Sequence, residues 1–321
     1  MAKRLTLAVL SVMALFSSAQ AQQAPALHVV LGTATPGGGF PAYGEALAKA
    51  VHEVDPALTI ELRTTKGSTE NLVLLKESKL DLALVQGEYA FDVLAAQGDT
   101  PGLTVVAPVD TTPGMFVVPA ASSIHAVYDL RGKAIALGTH SSGLTVMGRT
   151  VLKGSGIDPE HDITPILLDR AGDGPTMVLE GKAAALWGGS VGWPGFKTMA
   201  AAPGGARFFG PAPEAVEAIL ALRPSLRRLT IPANSFKGQD AAIETVGSWS
   251  FTMGKPGLDP AVVSRLVRAI DHSKARLAQL YAQGGESDPR NLPGATKVEW
   301  LHPATVAYLK EIGAGSKTDS R

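Results

Sequence analysis

Short apolar runs alternate along this chain with stretches whose apolar residues recur every three or four positions. Residues 27–33 form the first such run, and a glycine-rich turn follows it. Tyr43, Leu47, Val51 and Val54 then fall at helical spacing. A strand is expected over 58–63, a short helix around Leu72 and Leu75, and another strand over 80–85. Strands are also expected at 103–108 and 115–119, separated by Thr111-Thr112-Pro113-Gly114, a turn-rich stretch that reads as a hinge. A second alternating series follows: strand 133–138, helix 144–153, strand 163–168, helix 175–180 and strand 184–187. Residues 246–253 read as a strand returning to the first region. Asp259-Pro260, an N-cap with proline at the first helical position, opens the longest helix, and a last helix is expected over 303–312. Strands alternating with helices in this way predict an α/β protein with a largely parallel sheet.

The first residues change the compartment. Lys3 and Arg4 precede an apolar run over 5–16, and Ala19-Gln20-Ala21 supplies small residues for cleavage. This is the pattern of a secretory signal peptide over 1–21, and the run is shorter than the ~20 residues a spanning helix needs. Cleavage would leave a chain of net charge −2, which argues against nucleic-acid binding. The absence of Cys excludes disulfides, thiolate metal sites and cysteine nucleophiles. The seven His residues are scattered without metal-ligand spacing, so neither a metal nor a cofactor is expected.

Four loops follow strands, where open α/β sheets bind ligands. The first, Thr33-Ala34-Thr35-Pro36-Gly37-Gly38-Gly39-Phe40, lets backbone approach a ligand at a helix N-terminus but lacks a nucleotide-binding spacing. The second, Thr64-Thr65-Lys66-Gly67-Ser68-Thr69-Glu70-Asn71, offers one cation, helix-capping hydroxyls and the Asn71 amide. The third, Gly138-Thr139-His140-Ser141-Ser142-Gly143, presents hydroxyls and amides suited to an anionic group. In the fourth, Trp187-Gly188-Gly189-Ser190-Val191-Gly192-Trp193-Pro194-Gly195, Ser190 sits in a Gly-x-Ser-x-Gly pattern. Asp240, Asp259, Asp271, His272 and His302 lie downstream in the order of a hydrolase triad. Against that reading, no oxyanion motif precedes the serine, and Pro194 falls where the helix should continue.

Taken together the loops resemble the TAXI family, extracytoplasmic solute receptors of tripartite ATP-independent periplasmic (TRAP) transporters. The most specific stretches are Thr65-Lys66-Gly67-Ser68-Thr69-Glu70-Asn71-Leu72 and Leu80-Asp81-Leu82-Ala83-Leu84-Val85-Gln86. Asp129-Leu130-Arg131-Gly132-Lys133 with Ser142-Gly143, Gly192-Trp193-Pro194, Ile231-Pro232-Ala233 and Gly238-Gln239-Asp240 add to the resemblance. It implies a type II periplasmic-binding-protein fold: two α/β lobes, 22–110 with 243–321 and 111–242, joined by two crossovers around a ligand cleft. It further implies a non-catalytic, monomeric periplasmic receptor that delivers a small, carboxylated solute to TRAP permease subunits. A receptor presenting its solute to a membrane sensor kinase is the alternative within the same fold, and a Ser190 hydrolase the alternative outside it.

Closure would set Gly38, Gly39, Phe40, Lys66, Ser68, Asn71 and Gln86 against Ser141, Ser142, Gly143, Trp187, Gly189 and Trp193. Ser142, Asn71 and Gln86 would donate or accept hydrogen bonds, Lys66 would offset negative charge, and Phe40, Trp187 and Trp193 would wall the cleft. The sequence also departs from the family pattern. Lys66 replaces a Gly, Gly87 a Ser, Leu144 a Thr, Phe40-Pro41 a Tyr pair and Ala184 an Asp. These changes remove hydroxyls and add a cation, so the family's dicarboxylate and amino-acid ligands do not transfer directly.

Overall fold

A computed structural model describes residues 26–98 and 102–315. The expected signal peptide lies outside the described residues. In chain order the strands are β1 (Leu27–Gly32), β2 (Leu58–Arg63), β3 (Leu82–Gln86), β4 (Thr104–Pro119) and β5 (Ala134–Thr139). They continue with β6 (Thr164–Leu168), β7 (Ala185–Gly189), β8 (Ala206–Phe209), β9 (Arg227–Ile231) and β10 (Ile243–Gly254). The helices are α1 (Gly39–Val54), α2 (Ser68–Lys76), α3 (Gly87–Ala96), α4 (Gly143–Gly154) and α5 (Gly174–Leu179). After these come α6 (Pro194–Ala201), α7 (Val216–Leu222), α8 (Pro260–Leu280), α9 (Leu292–Ala295) and α10 (Pro303–Glu311).

The sheet runs β2-β1-β3-β10-β4-β7-β5-β6, with β8 on β4 and β9 on β10. Parallel pairs occupy the two ends: β1 with β2 and β3, and β5 with β6 and β7. The middle differs from the expected parallel sheet. There β10 runs antiparallel to β3, β4 and β9, and β4 runs antiparallel to β7 and β8. Two long strands thus stitch together two βα units of like design.

Each unit buries its strands on both faces, which is why their sequences read as near-continuous apolar runs. In β3, Leu82 and Leu84 pack against α1 and α8, while Ala83 and Val85 face the opposite layer with Leu72, Leu75 and Leu309. In β4, Phe116 and Val118 join Met147, Val151 and Trp187, while Met115 and Val117 join Phe196 and Met199. Each such fully buried apolar side chain contributes about 1.5–3 kcal/mol of transfer free energy. The start of α8 is as the sequence indicates: the Asp259 carboxylate accepts from the Ala261 N–H at 2.8 Å, ahead of Pro260 at the first position.

The expected hinge turn at Thr111–Gly114 is not a turn. It lies within the continuous strand β4, where Thr112 and Pro113 pair with Ser248 and Gly247. Pro113 has no N–H to give the ladder, and the neighbouring Thr111 N–H goes instead to a Glu286 carboxylate oxygen at 2.5 Å. Next to it the register shifts: Trp249 pairs with Thr111 and Phe251 with Pro108, so β4 carries one extra residue there. Residues that punctuate turns are held extended here by a partner 175 positions away in the chain.

Candidate ligand-binding site

The carboxyl ends of β1, β3, β5 and β7 converge on a cavity of about 80 Å³. At about 10–15 Å³ per water on this measure, it has room for roughly six waters or a small organic molecule. Its walls combine backbone at the starts of α1, α2 and α4 with the side chains of Phe40, Tyr43, Leu144, Trp187, Trp193 and Tyr281.

Contacts between the two βα units close the cavity. The Trp193 indole N–H donates to the Gly37 carbonyl at 2.9 Å, and the Gly172 N–H to the Pro36 carbonyl at 3.3 Å. The Ala171 N–H reaches Thr35 Oγ1 at 3.2 Å, and the Thr69 N–H reaches the Ser141 carbonyl at 3.4 Å. Glycine makes the approach of Trp193 possible: a Cβ on Gly188 would lie 2.2 Å from its ring. Arg223 and Asp92 form an ion pair between the units at 2.7 Å.

Most of the expected site residues line this cavity: Gly38, Gly39, Phe40, Lys66, Ser68, Gln86, Ser142, Trp187, Gly189 and Trp193. Their roles are not all those expected. Ser142 N-caps α4 by accepting from the Leu144 N–H at 3.2 Å. Ser68 Oγ accepts from the Gln86 N–H at 3.0 Å, which leaves its hydroxyl hydrogen free to donate. The Gln86 amide reaches Ser248 Oγ at 3.4 Å. Trp187 is mainly a core residue, with its indole N–H on the Leu144 carbonyl at 2.7 Å and its ring against Phe116. The Lys66 side chain is exposed at the rim.

Three expected residues do not line the cavity. Asn71 is wholly buried behind it, and its amide donates to the Thr33 and Leu84 carbonyls at 2.8 Å each. It ties β1 to β3, so the expected ligand hydrogen bond is replaced by a structural one. Ser141 offers its backbone carbonyl to the other unit, and Gly143 packs against the side chain of Gln86.

Of the most polar part of the wall, Ser190 alone was singled out from sequence, and as a nucleophile. Asp110 lies at the middle of β4 and is 3% exposed. Its Oδ2 lies 2.9 Å from Ser190 Oγ and 3.3 Å from the Tyr281 hydroxyl. Ser190 Oγ also reaches Gln283 Oε1 at 2.6 Å, and the Gly192 N–H donates to the same oxygen at 3.3 Å. Burial raises the Asp110 carboxyl to about 7, and the negative charge of Glu286 adds to the rise, against the lowering effect of the Ser190 hydrogen bond. Burial also raises the Tyr281 hydroxyl well above its ordinary value, reinforced by the charge of Asp110. One signal was available: Asp110 ends an otherwise apolar run over 105–109.

Ser190 has a positive φ of 69°, the strained backbone of a nucleophile turn, but the triad does not assemble. His302 caps α10 through Nδ1 and meets the Leu258 carbonyl through Nε2; Asp259 caps α8. Asp271 binds Tyr308, Lys274 and Arg290. His272 is exposed on α8. Among the described residues no histidine bonds to Ser190, and no group of three His, Cys, Asp or Glu is placed to hold a metal.

The sequence model of the NMT1-like family matches residues 31–313, nearly the whole described chain. The chain belongs to the NMT1-like family. No curated protein sequence matches it. Among solved structures, this NMT1-like fold is similar to that of a periplasmic transporter, with 12% identity, 91% of this chain and 98% of that chain covered, and a TM-score of 0.59. The alkanesulfonate-binding protein SsuA from Xanthomonas axonopodis pv. citri, bound to MOPS, is 18% identical over 91% of this chain and 94% of that one, at a TM-score of 0.48. The aliphatic sulphonate binding protein SsuA from Escherichia coli gives 18% over 90% of each chain and 0.47. At such identities the transporter structure speaks to the fold alone. Among the described residues no helix is long and apolar enough to cross a membrane.

Proposed function

We propose that this NMT1-like protein is a periplasmic solute receptor, exported by the segment 1–21, that traps a small organic solute between two lobes and acts without catalysis. The observation that carries this reading is the small cavity at the strand carboxyl ends, closed by hydrogen bonds between two separately cored units. The lobes divide between 110 and 111, within β4, and between 242 and 243, where β10 begins, so that β4 and β10 form the crossovers. A carboxylate on the solute would face the starts of α2 and α4, where Ser68 and Ser142 can donate, with Lys66 at the rim. The resemblance of residues 65–72 and 80–86 to TAXI receptors supports a TRAP-type permease as the membrane partner.

The test is a thermal-stabilisation screen of the purified mature protein, with small-angle scattering to follow closure. A solute at a hundred times its dissociation constant adds about 2.7 kcal/mol, and the radius of gyration falls as the lobes close. Stabilisation without compaction would remove the lobe-closure reading. Solute uptake by vesicles carrying TRAP permease subunits, dependent on added receptor, tests the partner.

A further inference from the structure

Asp110 sets a condition on the solute that a carboxylate alone does not meet. It is buried and lines the cavity, and Oδ2 lies within hydrogen-bond distance of both neighbouring hydroxyls. No described protein group bonds to its Oδ1. Neither does it form an ion pair with any described Lys or Arg, and the charge acting on it is the like charge of Glu286. A carboxylate with an unused oxygen facing a small cavity repels an anion and favours a cation or a strong hydrogen-bond donor.

Aromatic rings surround the same corner. Tyr43 and Tyr281 meet edge to face with centroids 5.6 Å apart. The Tyr43 hydroxyl is engaged by Ser287 Oγ at 2.8 Å, which leaves its ring as the part available to a ligand. A Cβ built on Gly39 would lie 3.6 Å from the Tyr281 hydroxyl and 4.0 Å from the Trp193 ring, so the glycine keeps this corner open between them. Aromatic rings beside a buried carboxylate suit a cationic nitrogen, because the ring quadrupoles and the carboxylate attract the same charge.

We infer that Asp110, with Tyr43, Tyr281 and Trp193, forms a subsite for a cationic nitrogen on the solute. This rests on the receptor reading and extends it: the solute is a small organic ammonium compound, with its nitrogen turned toward β4. Asp110 is then the group that separates it from a plain organic acid of the same shape.

The experiment uses pairs of probes that differ only at the nitrogen: glycine betaine against 3,3-dimethylbutanoate, and 4-aminobutanoate against pentanoate. Each is titrated calorimetrically into the mature protein and into Asp110→Asn, whose fold is checked by circular dichroism and thermal melting. The expected result is binding of a nitrogen member at least tenfold tighter than its carbon counterpart, with Asp110→Asn erasing that difference while still melting cooperatively. Equal or tighter binding of the carbon members would overturn the subsite and leave the receptor standing, as would an unchanged preference in Asp110→Asn. Binding of no member of either pair would overturn the subsite; whether the receptor reading falls as well is decided by the wider stabilisation screen.

Discussion

A single methyl group at Gly143 tests lobe closure. Gly143 is the first residue of α4, on one side of the cleft, and a Cβ there would lie 2.5 Å from both Cβ and Cγ of Gln86 on the other side. Its backbone is ordinary helix, so Gly143→Ala introduces no φ strain and gains up to about 1 kcal/mol of helix propensity in each lobe conformation. The cost falls only on the closed form. Contact must lengthen by about an ångström to reach ordinary van der Waals distance, and overpacking of this kind costs about 1–3 kcal/mol. The closed population, and with it the solute affinity, should fall roughly 5- to 150-fold. Scattering curves collected across a titration with a solute from the screen would show compaction displaced to that much higher concentration. The ligand-free melting temperature should hold or rise slightly. Unchanged affinity would mean that the contact between residues 86 and 143 does not move. A drop of several degrees in the ligand-free melt would mean that the two units are one fixed body, and either result refutes the closure argument.

Other perturbations separate site from scaffold. Asp110 and Glu88 are both raised to about 7 by burial, so the folded form holds protons that the unfolded chain releases near pH 4. Their contribution is therefore present below about pH 4 and lost as pH rises through 7, by up to about 4 kcal/mol for Asp110. Urea midpoints of ligand-free Asp110→Asn should match wild type at pH 4 and exceed it at pH 8; a smaller midpoint at pH 8 would refute the sign. Asn71→Ala should destabilise by about 1–3 kcal/mol through the donor lost at the Leu84 carbonyl, since the Thr33 carbonyl keeps the Thr65 hydroxyl at 3.1 Å, with solute affinity per folded molecule unchanged by calorimetry. Lys66→Ala should weaken solute binding by less than about 1 kcal/mol, because the exposed ammonium is screened by solvent. A larger loss would place it inside the closed cleft.

The parts legible in the sequence were those fixed by local period and local chemistry. Leu82–Val85 reads as a strand buried on both faces because it is one, and Asp259-Pro260 marks a helix start because cap and proline act within one turn. The glycine and hydroxyl loops after β1, β2, β5 and β7 were visible for the same reason. The helix α3 was not read from the sequence; it opens on a glycine directly after a strand, with no side-chain cap. Short β8 is held by pairing with distant β4, which no local pattern records, and short β9 by the strand that follows it, β10. Thr111–Gly114 failed for a related reason, since Glu286 satisfies the backbone that a turn would otherwise have to satisfy itself.

The site divides along the same line. Ser68, Ser142 and the glycines were found because loops after strands advertise themselves. Tyr43 sits in the apolar stripe of α1, where the period of the sequence assigns it to packing, while Asp110 lies between the expected strand 103–108 and the expected hinge, and Tyr281 just after α8, where no periodic pattern marks either. Tyr43 does pack, at 1% exposure, yet it also lines the cavity. Asp110 is the exception that chemistry alone could have flagged, because a carboxylate at the end of a buried apolar run needs a partner. Among the described residues two hydroxyls lie beside one oxygen and no cation pairs with either. Its ionised form is thus costly in the ligand-free protein, and the cost is recovered only when something positive occupies the cavity. Stability given up at that carboxylate before binding becomes selectivity on binding, which is why Asp110→Asn should remove the nitrogen preference of the filled protein and the Asp110 share of the empty protein's pH dependence, leaving the share of Glu88.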